Sequence, residues 1–416
     1  MIKDRWHYLV RSRDCVAQGA LTNSKRAECF IYGQYPTHIR SSWGAFVEDH
    51  LNNKYIDYIC GLGTNLLGYA NAQIASAITI QARSGISPSL STTLEVDFLE
   101  RIKEVVPFID VSKIFKTGTE ACLASLKMAR GYTGRELVFS SGYHGHGAEF
   151  ISLNPVTTGV CKHSNIRALD WDFVELRENA KKTAAVIVEP INLDDSRDNK
   201  EKLKELKKIC KENGIVLIFD EIITAFRVPK YTVSSYYNIR PDIIIFGKAL
   251  GAGMPLCVVG GRRDILNGSE YFTSGTFCGE TLSLAAAMKF VELIQTNSKY
   301  KIDDLWLKAN NFQNEFNQIW PDKIRLKGYG TRSVFEGDDM VKALLWQEAV
   351  NAGILFGSSF FYSFAHFDMD TVVLGAVKNI LTRIQNNEVT LKGKLPESPF
   401  SKKVRDSNGE NTKTNG

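Results

Sequence analysis

The 416-residue sequence has no apolar run long enough to cross a bilayer, and none follows the charges of its opening Met1–Trp6, so neither a membrane span nor a secretory leader is expected. It also has no Cys-x-x-Cys pair. The eight cysteines, at positions 15, 29, 60, 122, 161, 210, 257 and 278, are scattered, which argues against a structural zinc site or a disulfide framework and for packed, reduced thiols in a cytoplasmic protein. A strong basic excess is missing too. The net charge of +5 is concentrated in residues 392–416, where six Lys/Arg face three acids, and about +2 is left for the rest, too little for a surface that tracks nucleic-acid phosphates. No internal repeat is visible. The run Gly61-Leu62-Gly63-Thr64-Asn65-Leu66-Leu67-Gly68 lacks the G-x-G-x-x-G spacing of a dinucleotide site.

What the chain does have is core material, 44% apolar with 11% aromatic, and a length that calls for more than one core. Four regions are expected. Residues 1–65 form an N-terminal segment with a hairpin turning at Asn52-Asn53, and it contributes to a small domain and the substrate site. Residues 66–295 form a large domain. Residues 296–390 form a smaller, helix-rich C-terminal domain, and 391–416, with Pro396, Pro399 and a polar end, read as a disordered tail. Between about 100 and 260, β-branched runs alternate with amphipathic helices, the signature of an α/β domain on a mostly parallel sheet.

Three of those runs end on a charge. Ala184–Val188 leads into Glu189, Ile215–Phe219 into Asp220, and Asp242–Phe246 into Gly247-Lys248. Open α/β sheets bind ligands at the carboxyl ends of their strands, so the three side chains are expected to converge. Any one of them alone reads equally well as a strand meeting solvent. Together, a lysine at the end of a buried strand and a neighbouring carboxylate suit a Schiff base whose ring nitrogen is kept protonated. Upstream, Lys116-Thr117-Gly118-Thr119-Glu120 opens a helix and offers backbone N–H groups and a hydroxyl to a phosphate, although a structural N-cap reads the same way. Ser141-Gly142-Tyr143-His144-Gly145-His146 would let the backbone approach a ligand and lay the Tyr143 ring on a flat cofactor. Its His-x-His spacing lacks a third ligand at a recognisable distance, and no metal is expected.

Taken as an ordered series, these stretches resemble the class III, fold-type I aminotransferases that use pyridoxal 5′-phosphate (PLP), in particular the branch of glutamate-1-semialdehyde 2,1-aminomutase. Gly118-Thr119-Glu120-Ala121, Tyr143-His144-Gly145, Val188-Glu189-Pro190, Asp220-Glu221-Ile222-Ile223-Thr224, Gly247-Lys248-Ala249 and Ser274-Gly275-Thr276 carry the likeness, which runs from about Pro36 to His366. It implies a large domain built on a mostly parallel seven-stranded sheet, with a smaller α+β domain beside it. It also implies phosphate binding by Gly118 and Thr119, ring contacts from Tyr143, Glu189 and Ile222, ring-nitrogen pairing by Asp220 and the covalent link at Lys248. Thr276 would serve the partner's site in a homodimer. The substrate side departs from the aminomutase pattern. Arg26 stands one position from the expected carboxylate ligand, Ser358 replaces a glutamate, and Gly328–Asp339 looks shortened. The resemblance therefore implies a transaminase moving an amino group from a donor, glutamate, to a small carbonyl metabolite such as a sugar. The aminomutase itself, or a PLP decarboxylase or racemase, remains the alternative.

Overall fold

The N-terminal hairpin chemistry produces a small sheet. Strand β1 (Ile39–Trp43) pairs antiparallel with β2 (Phe46–Asp49), and β2 with β3 (Lys54–Asp57), across a turn in which Asn52 takes a left-handed conformation. Asn tolerates positive φ because its short polar side chain bonds locally. The structure, a computed structural model, describes residues 5–153, 157–160, 165–191, 199–268 and 271–399, and the backbone of 404–405 and 411–412.

The central element is a seven-stranded sheet. Its strands are β4 (Val111–Phe115), β5 (Leu137–Ser141), β6 (Ile166–Ala168), β7 (Thr183–Val188), β8 (Val216–Asp220), β9 (Ile243–Phe246) and β10 (Cys257–Gly261), in the spatial order β4-β10-β9-β8-β7-β5-β6. The pairs β6/β5, β5/β7, β7/β8 and β8/β9 are parallel, and only β10 runs against its neighbours. The α/β fold with a mostly parallel sheet is thus what forms.

Strands β7 to β10 are buried along their whole length. This is why they read as unbroken apolar runs rather than alternating ones: helices cover both faces. On one face Ala185, Ile187, Val216, Ile218, Ile243 and Ile245 pack with the helix Gly118–Thr133. On the other Val186, Val188, Leu217 and Phe219 pack with the helix Lys200–Asn213, which ends on left-handed Gly214 as its Asn-Gly pair predicts. Each such Val, Leu or Ile contributes about 1.5–3 kcal/mol of burial.

A second, antiparallel sheet joins β11 (Ile324–Tyr329) to β12 (Arg332–Gly337) through a two-residue turn at Gly330-Thr331, which accounts for the compact reading of Gly328–Asp339. Strand β13 (Ile354–Leu355) runs parallel to β3 and completes the N-terminal sheet, while β14 (Phe360–Phe361) pairs with β12. One expectation needs correction. The first nine residues of the supposedly disordered tail are held in place: the Lys392 N–H donates to Gln347 Oε1 at 2.7 Å, Lys394 bridges to Tyr32, and the Glu397 N–H donates to Glu28 O at 2.7 Å. Leu391 packs on the core, an apolar contact that a reading of charge and proline overlooked. Most of 400–416 lies outside the described residues. Among the described residues no helix is long and apolar enough to cross a membrane.

Candidate active site

Because β10 is antiparallel to both β4 and β9, strands β4, β5, β7, β8 and β9 all point one way, and their carboxyl ends share one edge of the sheet. A cavity of about 260 Å³ lies there, lined among others by Gly118, Thr119, Tyr143, Glu189, Asp220, Ile222 and Lys248. Seven of the eight cofactor-site residues read from the sequence therefore meet at one place. Thr276 does not: it sits on an exposed stretch outside the cavity of its own chain.

The helix Gly118–Thr133 starts with a capping box. Thr117 Oγ1 accepts from the Glu120 N–H at 3.2 Å, while Glu120 Oε2 accepts from the Thr117 N–H at 2.9 Å. With these two groups satisfying one another, Gly118 is left at the wall, where a Cβ would lie 2.7 Å from Ile222 Cδ1. Thr119 Oγ1 accepts from the His146 N–H at 3.2 Å and so ties the helix start to the loop after β5. Gly145 has φ +97°, and a side chain there would run into the Thr119 hydroxyl, so only glycine fits this close approach.

Asp220, 3% exposed, is held by three contacts. His144 Nδ1–H donates to its Oδ2 at 2.7 Å, the Ile222 N–H donates to its Oδ1 at 3.0 Å, and the Cys122 thiol points at Oδ2 from 3.5 Å. Cys122, His144 and Asp220 thus gather three ligand-type atoms within 4.8 Å. Burial and then the Asp220 charge push the Cys122 thiol far up, so it stays protonated and serves the carboxylate as a donor. The His-x-His pair is divided, with His144 buried and His146 exposed. His144 Nε2 has no hydrogen-bond partner. The adjacent Glu221 is structural: it accepts from the Val233 and Ser234 N–H groups at 2.6 and 2.9 Å.

Lys248 follows Gly247, where a Cβ would collide with Cys257 Sγ, and it takes φ +43°, a conformation that a side-chain-bearing residue adopts under strain. Its amine is lowered to about 8, first by burial and next by the Arg332 charge, against the pull of Glu189 and Asp220. Glu189 in turn takes the Tyr143 N–H on Oε1 at 2.9 Å and approaches Arg332 with Oε2 at 3.7 Å. The sequence reading missed Arg332, Cys122, Thr64 and Lys116. The last two line the cavity, and Lys116 is paired with Glu280 at 2.9 Å. Glycine-threonine motifs and strand ends signal backbone placement, and nothing local signals a partner from a distant hairpin.

The substrate candidates fare differently. Arg26 turns back on its own 3₁₀ turn, Nε donating to Asn23 O at 3.3 Å. Its neighbours Ser24 and Lys25 line a second cavity of about 850 Å³, and Arg26 does not. Ser358 is exposed and lines neither cavity.

A buried lysine of lowered basicity, a buried carboxylate held by a histidine, and an open helix start at one sheet edge fit PLP by their chemistry. The fold is that of the fold-type I PLP enzymes. Residues 32–360 match the family model described as aminotransferase class-III, and the chain belongs to that family. It is 32% identical over 350 residues to a glutamate-1-semialdehyde 2,1-aminomutase of Lachnoclostridium phytofermentans, covering 78% of this chain and 82% of that one. It is 28% identical to the aminomutase of Syntrophobacter fumaroxidans, covering 92% and 99%. Among solved structures, an omega-transaminase of Sphaerobacter thermophilus superimposes with TM-score 0.83 at 19% identity, over 92% of this chain and 98% of that one. The chain is accordingly a PLP-dependent aminotransferase.

Proposed function

We propose that the enzyme carries out transamination between two small molecules, taking the amino group from glutamate and delivering it to a small carbonyl metabolite such as a sugar. The observation that carries this reading is the junction of the two cavities. Thr64 lines both the cofactor cavity and the 850 Å³ cavity under the N-terminal segment, so the two adjoin, which supports a route for a keto product to leave and a second carbonyl to enter. A mutase must instead retain its diamine between half-reactions, which calls for a closed site.

In this reading the N–H groups at the start of the helix Gly118–Thr133, with Thr119, hold the cofactor phosphate, and Tyr143 and Ile222 flank the ring. Asp220, oriented by His144, keeps a proton on the ring nitrogen. Lys248 would hold the cofactor covalently, and its amine would carry a proton to or from the substrate α-carbon. Bound PLP supplies the electron sink that lets the bond from that carbon to hydrogen break. We further infer a homodimer in which Thr276 serves the partner's site. The exposure of Phe272 (86%) and Phe277 (61%) on either side of it supports such an interface.

The relatives named as aminomutases favour a second reading, the isomerisation of glutamate-1-semialdehyde. One pair of assays separates the two. Amino transfer from glutamate to a panel of carbonyl acceptors supports the first, whereas efficient formation of 5-aminolevulinate from glutamate-1-semialdehyde without added donor overturns it. Decarboxylation or racemisation would show as turnover that never leaves the amino group on the cofactor.

A further inference from the structure

We propose that Arg332 is the anchor for the carboxylate of the amino donor, which defines the donor as an amino acid rather than a simple amine. This rests on the transaminase reading above. Arg332 opens β12 directly after a turn that is pinned from two sides. The Gly330 N–H donates to Asn310 Oδ1 at 3.0 Å, and a Cβ at Gly330 would lie 2.3 Å from the Ala309 carbonyl, so no other residue fits. Thr331 Oγ1 donates to Arg227 O at 2.8 Å and fastens the hairpin to the large domain. The backbone of Arg332 is therefore fixed relative to the strand ends that carry Glu189 and Lys248.

Arg332 is 9% exposed, yet its Nε and Nη1 make no hydrogen bond among the described residues. Its one carboxylate partner among the described residues, Glu189 Oε2, stands at 3.7 Å, beyond hydrogen-bond reach, and the other oxygen of Glu189 is engaged by Tyr143. Arg227 deepens the imbalance. Fully buried over the Phe361 ring at 5.2 Å, it spends Nη2 on Gly63 O at 2.7 Å and leaves Nε and Nη1 without partners. Two buried guanidiniums thus lie near enough to feel one another's charge, each with two nitrogens that find no hydrogen-bond partner among the described residues.

Buried cations with unmet donors are costly to a fold, and an arriving anion removes that cost. The planar fork of arginine suits a carboxylate through two parallel N–H···O bonds. Position points to the donor rather than to a stray ion: Glu189, in contact with Arg332, lines the cofactor cavity, and Arg332 exerts the largest charge effect on the Lys248 amine. A guanidinium set behind Glu189 at the wall of that cavity would hold the carboxylate of a substrate whose amino group is delivered to Lys248.

The test uses the holoenzyme and its Arg332→Met and Arg332→Lys variants, with L-glutamate, L-alanine and the carboxylate-free 1-phenylethylamine as donors, followed by the absorbance change as the cofactor takes up the amino group. Arg332→Met is expected to raise the half-saturating concentration for the two amino acids by about 10- to 100-fold. The loss should exceed that for 1-phenylethylamine at least about tenfold, and Arg332→Lys should recover part of it. A purely structural ion pair with Glu189 would lower all three alike, and that outcome, or an unchanged response to both amino acids, overturns the proposal. Wild-type protein that accepts no amine at all overturns the transaminase reading and this one with it. Binding is checked separately by thermal unfolding with succinate, which carries carboxylates and no amine. It should raise the melting temperature of the wild type and not of Arg332→Met, and equal protection of both counts against Arg332.

Discussion

The cofactor side and the substrate side of this site are built by different means. On the cofactor side every key group sits at the end of a strand or the start of a helix: Glu189, Asp220 and Lys248 follow β7, β8 and β9, and Gly118 opens the helix after β4. The buried ladders fix those positions to within the pleat, and the loops between them are locked by contacts such as Gly145 against Thr119. The substrate side, as proposed, is assembled from an irregular N-terminal segment, the stretch after β8 and a hairpin far away in the chain, and two of its charges, Arg227 and Arg332, have two nitrogens each without a hydrogen-bond partner among the described residues. The carboxylate of Asp220 is bonded before any ligand arrives, and those guanidiniums are left wanting a partner. Chemistry common to a whole family can reside in the first, and discrimination among substrates belongs to the second.

This contrast orders the expected effects of mutation. Lys248→Ala should lower transamination by about 10⁴-fold or more, since both attachment and proton transfer go through one amine. Borohydride reduction followed by peptide mapping should place the cofactor on Lys248 in the wild type, and an adduct on any other lysine refutes the assignment. Asp220→Asn should leave the cofactor bound yet slow the removal of the α-hydrogen by about 10²–10³-fold, visible in single-turnover absorbance with α-deuterated glutamate. Near-normal rates there would mean that the ring nitrogen lies elsewhere.

A smaller effect concerns pH. The Lys248 amine is lowered from 10.5 to about 8, so within the folded protein it is neutral above about pH 8, while an unfolded lysine stays protonated to about 10.5. Capture of PLP by the apo-protein should therefore rise through a midpoint near pH 8. The contribution of this lysine to apo-protein stability should be present in full above 10.5 and lost as pH falls through 8. Arg332→Met, which removes the largest charge opposing protonation, should move the capture midpoint upward; stopped-flow absorbance would detect it. The smallest effects belong to the two substrate candidates that the fold leaves aside. Arg26→Ala and Ser358→Ala should each change kcat/KM for glutamate by less than about twofold, in line with surface substitutions, and a tenfold loss in either would restore the aminomutase-like reading of that position.

The same contrast explains what was legible in the sequence. A strand such as Ile243–Phe246 is unbroken apolar text, so the charge that ends it can be located by eye, and with it Lys248. The placement of Gly118-Thr119 at a helix start on the cavity wall followed from chemistry that is local in sequence. His144 was visible only as half of a metal-like spacing. Its true partner, Asp220, lies 76 residues away and is reached through the parallel pairing of β5, β7 and β8. Cys122 was lost among seven other cysteines because the carboxylate its thiol meets lies 98 residues away in the chain. Arg332 had no local signal, since a charged residue opening a hairpin strand usually faces water. The turn of Arg26 back onto Asn23 was hidden for a similar reason: the direction of a side chain beside a short 3₁₀ turn is not encoded by its position in the sequence.

The two-residue strand β13 has a consequence for how the chain is made. Ile354 and Leu355 pair with Ile56 and Asp57, so the N-terminal sheet cannot close until nearly three hundred further residues have been synthesised. Until then β3 presents an open edge next to the apolar Tyr58, whose stacking partners Phe360 and His366 also come late. Such long-range closure is slow, and nascent chains with exposed edges associate readily. Production of this enzyme is accordingly expected to depend on chaperones that shield the first sixty residues during translation, and slowing elongation upstream of residue 354 should increase the aggregated fraction.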